Sequence, residues 1–363
     1  MTMDLVLYGP LLDPELRRAI VGDVPDGRPF TLEGEALVAL PSSPWPVAVQ
    51  TPRGRLDGVV VSPDADARER CARYMRAMGA VAAHVGAGAD AAEFWRVPGQ
   101  GDHPEWSLRD WQARWGPLER RVARDVLSWP AEADLAFRVP TLRQRISSSL
   151  RAGIDPPPRR LRADIHRDAI EVRHRREPYV AFFAVNETDL AHPRFAGRPP
   201  AEINRAALVG GDAVAVLPYD AARDRVMVIE QFRFGPFTRG DLYPWTLEPI
   251  AGRIDPGETP EAAARREAVE EAGLTLDRLI DVGPSYPSPG QLSEFLYAFV
   301  APVALPDEAA GLGGLDAENE DIRAHVVSFD EMMTLISTGE INSMPLMLCA
   351  FWLDRARREG SFA

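Results

Sequence analysis

The chain has 363 residues, 45% hydrophobic and 26% charged, with a formal net charge of -13. That is the composition of a soluble globular protein long enough for two or three domains, and the negative charge argues against a nucleic-acid backbone as the main partner. All 41 basic residues other than histidine are arginine, so Schiff-base chemistry and any lysine-dependent phosphate loop are excluded. Two cysteines far apart, Cys71 and Cys349, offer neither a disulfide framework nor zinc spacing and fit a reducing cytoplasm. No basic segment followed by an apolar one opens the chain, and no apolar run reaches membrane-span length.

In chain order, the first region, residues 1–127, opens with a strand at Leu5–Leu7 that runs into Tyr8-Gly9-Pro10-Leu11-Leu12. Such a glycine turn either presents backbone N–H groups to an anion or is an ordinary turn. Strands are expected at Ala36–Ala39 and Gly58–Val61, and a helix at Asp64–Met78. Helical spacing recurs in Trp106–Leu127 and Leu142–Ala152, where arginine and tryptophan interleave; an amphipathic packing helix is the reading adopted over base stacking. Pro156-Pro157-Pro158 punctuates the chain, so residues 128–162 are read as a helical, proline-rich connection. The second region, 163–363, has strands at Ala213–Leu217 and Arg225–Glu230 joined by a turn. A helix at Thr259–Ala272 and a strand at Phe295–Val300 follow. Beyond a glycine-rich acidic loop, Ala309–Asp321, come a strand at Ala324–Val327, a capping box at Ser328–Glu331 and a last helix at Leu346–Arg358.

The chemistry concentrates after Gly252. Five residues separate it from Glu258, and seven more precede Arg266-Glu267-Ala268; then come Glu270-Glu271 and Gly273-Leu274. Thr259 suits an N-cap, Pro260 the first helical position and Gly273 a left-handed C-cap. Between them Glu267, Glu270 and Glu271 fall at i, i+3 and i+4, on one helical face. Clustered carboxylates are hard oxygen ligands suited to Mg²⁺ or Mn²⁺. A divalent cation beside a pyrophosphate neutralises oxygens, polarises phosphorus and activates water.

This spacing is a complete match to the Nudix box. The region from about residue 178 to 352 further resembles the ADP-ribose pyrophosphatases of that superfamily, through Leu217-Pro218-Tyr219-Asp220, Glu230-Gln231-Phe232-Arg233, Pro244-Trp245, Ser288-Pro289-Gly290 and Glu318-Asn319-Glu320-Asp321. The resemblance implies an α+β protein whose C-terminal domain is an α/β/α sandwich with a mixed sheet. It implies metal-dependent hydrolysis of ADP-ribose or a related ADP-sugar to AMP and a sugar phosphate. The ligand set it implies is the Ala251 carbonyl with Glu267, Glu271 and Glu320, Glu270 joining as a ligand or supporting partner. Glu318 resembles the base that activates water, and Arg266 with Glu258 the pair that holds the loop against the helix. Arg233 and Arg205 resemble arginines that grip the substrate, Phe182 an aromatic that stacks on adenine, and Ser288 belongs to the substrate loop. Phe182 as a core residue and Arg205 as a surface ion pair are the competing readings. A homodimer is implied, because such contacts come from a partner subunit in that family. Another nucleotide sugar or a dinucleotide as substrate, or a non-catalytic ADP-ribose sensor, stay open.

The first region resembles the gamma-glutamylcyclotransferase-like fold, a smaller β-barrel/α domain, through the Tyr8 loop, Gly58–Val61 and the helix through Tyr74. Met75 stands where that family carries its acid–base glutamate, which implies lost cyclotransferase activity. The two-domain layout is similar to Nudix proteins labelled for tellurite resistance, though no residue here implies tellurium chemistry.

Overall fold

The structure is a computed structural model that describes residues 4–23, 27–86, 91–100, 103–130, 134–154, 160–315 and 320–360. Contacts divide the chain into two units, Met1–Pro157 with Val180–Phe182, and Pro158–Tyr179 with Phe183–Ala363.

The first unit contains β1 (Asp4–Tyr8), α1 (Pro14–Val21), β2 (Arg28–Val38), β3 (Val47–Val61), α2 (Ala65–Ala77), β4 (Val81–Val85), β5 (Ala92–Arg96), α3 (Leu108–Arg114), α4 (Gly116–Ser128) and α5 (Leu135–Arg151). Its five-stranded sheet runs β2-β3-β1-β5-β4. The barrel expected here is corrected: among the described residues the path is open, since the outer strands β2 and β4 pair only inward. Alternation along β1 sends Leu5 and Leu7 to a core shared with the helices, and Val6 and Tyr8 to a smaller core on the other face. The Tyr8 loop closes into a short 3₁₀ turn at Gly9–Leu12, with Gly9 at φ +56° and Gly9, Pro10 and Leu11 buried. Met75 lies in the helical core beside Tyr74. The fully buried Glu119 carboxylate accepts from Arg143 (2.7 Å), the Tyr74 hydroxyl (2.9 Å) and the Trp45 indole (3.3 Å), tying α4 to α5 and α2.

The second unit contains β6 (Glu171–Val180), β7 (Ala184–Ala191), β8 (Glu202–Val209), β9 (Ala213–Asp220), β10 (Arg225–Phe232), α6 (Phe234–Arg239), β11 (Trp245–Glu248), β12 (Ile250–Arg253), α7 (Pro260–Ala272), β13 (Ile280–Ser285), β14 (Leu296–Pro302), β15 (Gly311–Gly313), β16 (Ile322–Ser328), α8 (Phe329–Thr338) and α9 (Met344–Arg358). Strands β6-β7-β8 form a three-stranded sheet, mostly exposed along β6. The larger sheet follows β13-β14-β9-β10-β16-β15, with β11 on β10 and β12 on β9. It is mixed, because β14 runs parallel to β9 while its other pairings are antiparallel. β9 is apolar on both sides. Val214 and Val216 pack with Ala263, Ala264 and Ala268 of α7, while Ala215 and Leu217 pack with Leu346, Cys349 and Leu353 of α9. Helices on both faces of a central sheet give the expected sandwich. Among the described residues no helix is long and apolar enough to cross a membrane.

Candidate active site

Local signals fix α7. The Thr259 hydroxyl accepts from the Ala262 N–H at 3.2 Å, Pro260 opens the helix, and Gly273 ends it in the left-handed region at φ +63°. Ala264, Ala268 and Glu271 stand at i, i+4 and i+7, so the stripe that seats the helix on the sheet also carries a carboxylate inward. Glu271 is 2% exposed, and its Oε2 accepts from the Ala251 N–H of β12 at 3.0 Å. Glu267 approaches the same strand so closely that a β-carbon on Gly252 would lie 1.9 Å from its Oε1. Only glycine leaves that carboxylate its place.

Arg266 holds the arrangement together. It donates to both oxygens of Glu258 (3.1 and 3.0 Å), to Glu267 (2.7 Å), to Glu270 (2.9 Å) and to the Arg253 carbonyl (2.9 Å). A planar guanidinium spanning three carboxylates sets their orientation. Glu320 reaches the same field from the strand side; its Oε2 accepts from the Leu315 N–H at 3.4 Å. Burial pushes Glu267 up to about 7, against the pull of Arg266 and with Glu270 and Glu320 adding to the rise. Burial likewise pushes Glu271 up to about 8, against the Ala251 N–H and with help from Glu267 and Glu320. These acids are uncomfortable as bare anions. Hard oxygens held in that condition fit a divalent cation, which relieves both desolvation and mutual repulsion. Among the described residues no three such side chains already form an ion-sized cage. Glu267 is engaged by Arg266 and Glu271 by the strand. Glu318 lies outside the described residues.

Arg233, extended directly after β10, sits in a two-pronged pair with Glu248, at 3.0 Å from Nε and 2.6 Å from Nη2 to Oε2. Burial works to lower its pKa, but Glu248 outweighs that and raises it, with Glu271 and Glu320 contributing. Glu248, which sequence reading did not single out, also accepts from the Thr246 hydroxyl at 2.7 Å. Glu294 was missed as well. Burial raises its pKa, Arg253 opposes, Asp212 adds to the rise, and Arg233 opposes too. The Arg205 side chain donates to the Asn204 carbonyl at 2.7 Å on the exposed face of β8. Phe182 is 56% exposed and clusters with the first unit. The Ser288 hydroxyl accepts from the Gln291 amide at 3.3 Å, and its carbonyl from the Gln291 and Leu292 N–H groups. The chain thus converges Ala251, Glu267, Glu270, Glu271, Glu320, Arg233 and Arg266 on one locality, while among the described residues the bonds of Arg205 and Ser288 go to Asn204, Gln291 and Leu292 instead.

A capped acidic helix seated on a mixed sheet, with an arginine locking its carboxylates to the preceding strand, defines a Nudix hydrolase. Residues 210–347 match the model of the NUDIX domain. The chain is 37% identical over 185 residues to an ADP-ribose pyrophosphatase of Escherichia coli, a span of 51% of this chain and 88% of that protein. It belongs to the Nudix family. The ADP-ribose pyrophosphatase of Haemophilus influenzae is 34% identical over 187 residues (51% of this chain, 86% of the relative). A GDP-mannose pyrophosphatase of an Enterobacter is 32% identical over 144 residues (40% and 74%).

Proposed function

We propose that the second unit hydrolyses the diphosphate of ADP-ribose, or a related ADP-sugar, to AMP and ribose 5-phosphate. The observation that carries this reading is the pair of desolvated acids, half-buried Glu267 and buried Glu271, pressed against β12 with Glu320 in the same field. The Ala251 carbonyl, Glu267, Glu271 and Glu320 would hold Mg²⁺ or Mn²⁺, and the bound cation would neutralise phosphate oxygens and make a bound water more acidic. Arg266 and Glu258 keep the helix carboxylates aligned, and Glu270 supports them. Arg233 turns from Glu248 to a phosphate oxygen, since a guanidinium fork matches either oxyanion. Glu318 takes the proton of the attacking water. The water oxygen bonds to phosphorus, the bond from phosphorus to the bridging oxygen breaks, and that oxygen leaves with the other phosphate. Arg205, Phe182 and Ser288 complete substrate binding, the first two across a homodimer interface. The broad exposure of β6 supports a partner subunit there, and sedimentation of the full chain reads the assembly directly. The first unit serves as a gamma-glutamylcyclotransferase-like domain without that activity; the burial of Met75 supports this role.

The test is product analysis on ADP-ribose with Mg²⁺, with Mn²⁺ and with chelator. AMP release that needs the cation supports the reading, and ADP-ribose binding without AMP release marks a sensor instead. The relative named for GDP-mannose favours one second reading, a different nucleotide sugar. GDP-mannose turned over faster than ADP-ribose on the same panel would select it.

A further inference from the structure

The face of β10 that continues into Arg233 holds another polar side chain, and its amide donor has no partner. Gln231 precedes Arg233 by two residues, and the extended backbone continues through Arg233, so alternation puts both on one side of the sheet. Met227 and Ile229 share that side and lie in the core beneath α7. Across the strands Gln231 stands between Thr246 of β11 and Ile322 of β16. It is 7% exposed, and its amide nitrogen is buried with no hydrogen-bond partner. Native folds retain few donors in this condition, and such a donor calls for an acceptor.

Its neighbours indicate which acceptor. The Thr246 hydroxyl donates to Glu248, and Glu248 occupies the fork of Arg233. Ile322 lies two residues beyond Glu320. An oxyanion that draws Arg233 away from Glu248 therefore arrives on the face where the Gln231 amide waits. Its arrival loosens the Glu248 side chain to which Thr246, the cross-strand neighbour of Gln231, donates. We propose that Gln231 is a further substrate-binding residue, whose side-chain amide donates to a phosphate oxygen of the nucleoside-diphosphate ligand. This inference rests on the function proposed above.

The test uses the full chain and Gln231→Leu, with Gln231→Glu as the variant of matching shape should leucine disturb folding. Calorimetric titration of the chelator-treated protein with ADP-ribose reads binding without turnover, and melting without ligand reads the fold. We expect Gln231→Leu to melt at or above the wild-type temperature, because an unsatisfied donor is gone. Its metal-free affinity falls on the order of tenfold, and with Mg²⁺ the loss falls on KM rather than kcat. Gln231→Glu loses more, since it adds a charge repelled by phosphate. A leucine variant that melts several degrees lower yet binds ADP-ribose as the wild type does would assign Gln231 a structural partner and overturn the inference. If the wild type binds ADP-ribose and both variants match it, this inference fails and the proposed function stands. A wild type that neither binds nor hydrolyses ADP-ribose removes both.

Discussion

Replacing Glu271 by glutamine should move stability and activity in opposite directions. The carboxyl is 2% exposed and held at about 8, whereas an ordinary glutamate sits at 4.5. At about 1.4 kcal/mol for each tenfold change in proton affinity, ionising it inside the fold costs on the order of 5 kcal/mol. Burial is the main cause, with repulsion from Glu267 and Glu320 adding to it; glutamine removes the charge but remains a buried polar group, so roughly half should be recovered. The sign follows from linkage. A folded pKa above the unfolded one means the native state binds more protons between pH 4.5 and 8, so native stability declines as pH rises across that window. In chelator, wild-type protein should therefore melt lower at pH 8 than at pH 5. Glu271→Gln keeps an acceptor for the Ala251 N–H and should flatten that dependence, gaining about 2 kcal/mol at pH 8 and little at pH 5. With Mg²⁺ present, AMP release from ADP-ribose should fall at least a hundredfold. Chemical denaturation at both pH values, in chelator, reads the first effect and product assay the second. A variant less stable than wild type at pH 8, or one that keeps its turnover, would refute the reasoning that this buried acid is kept for a cation.

Arg266→Ala strands the carboxylates of Glu258, Glu267 and Glu270 in a half-buried setting and should cost about 2–4 kcal/mol in urea denaturation. Lysine should not restore it, because one ammonium cannot replace a fork that bonds both oxygens of Glu258. A loss under about 1 kcal/mol would show that the helix does not depend on this bracing. Gly252→Ala puts a methyl where the Glu267 carboxylate lies, 1.9 Å from Oε1. The side chain must swing aside, so hydrolysis should drop at least tenfold while far-UV circular dichroism stays unchanged. Unaltered turnover would mean that Glu267 works from another position.

How much was legible in the sequence depended on whether each signal was local. Helix α7 carries its own caps and the periodicity of its seating face within the fifteen residues from Thr259 to Gly273, so its limits and its acidic side were readable before any fold was known. The segment expected as one helix from Trp106 to Leu127 is instead two, divided at Trp115, where Gly116-Pro117 starts a new helix. The glycine–proline pair was the available signal, and the apolar spacing continuing across the break masked it. Strand β6, Glu-Val-Arg-His-Arg-Arg-Glu-Pro-Tyr-Val, escaped notice because it is largely exposed and shows no alternation of apolar with polar residues. The barrel expected of the first region rested on resemblance alone, and nothing local specifies whether the outer strands of a sheet meet.

The site residues that went unread share one physical reason. Glu248 matters because β11 pairs with β10 so that Glu248 faces Ile229 and Thr246 faces Gln231, which delivers three polar side chains and Arg233 to one surface. A shift of that pairing by one residue would send Glu248 and Thr246 to the opposite face. Register is set by the whole sheet, and no spacing within either strand encodes it. Gly313 adds the reverse lesson. A β-carbon there would fall 2.0 Å from the Glu271 carbonyl, so this glycine lets β15 approach the end of α7. In the sequence it is one more glycine in an acidic loop, and only the fold distinguishes the glycine that must be there from those that need not be.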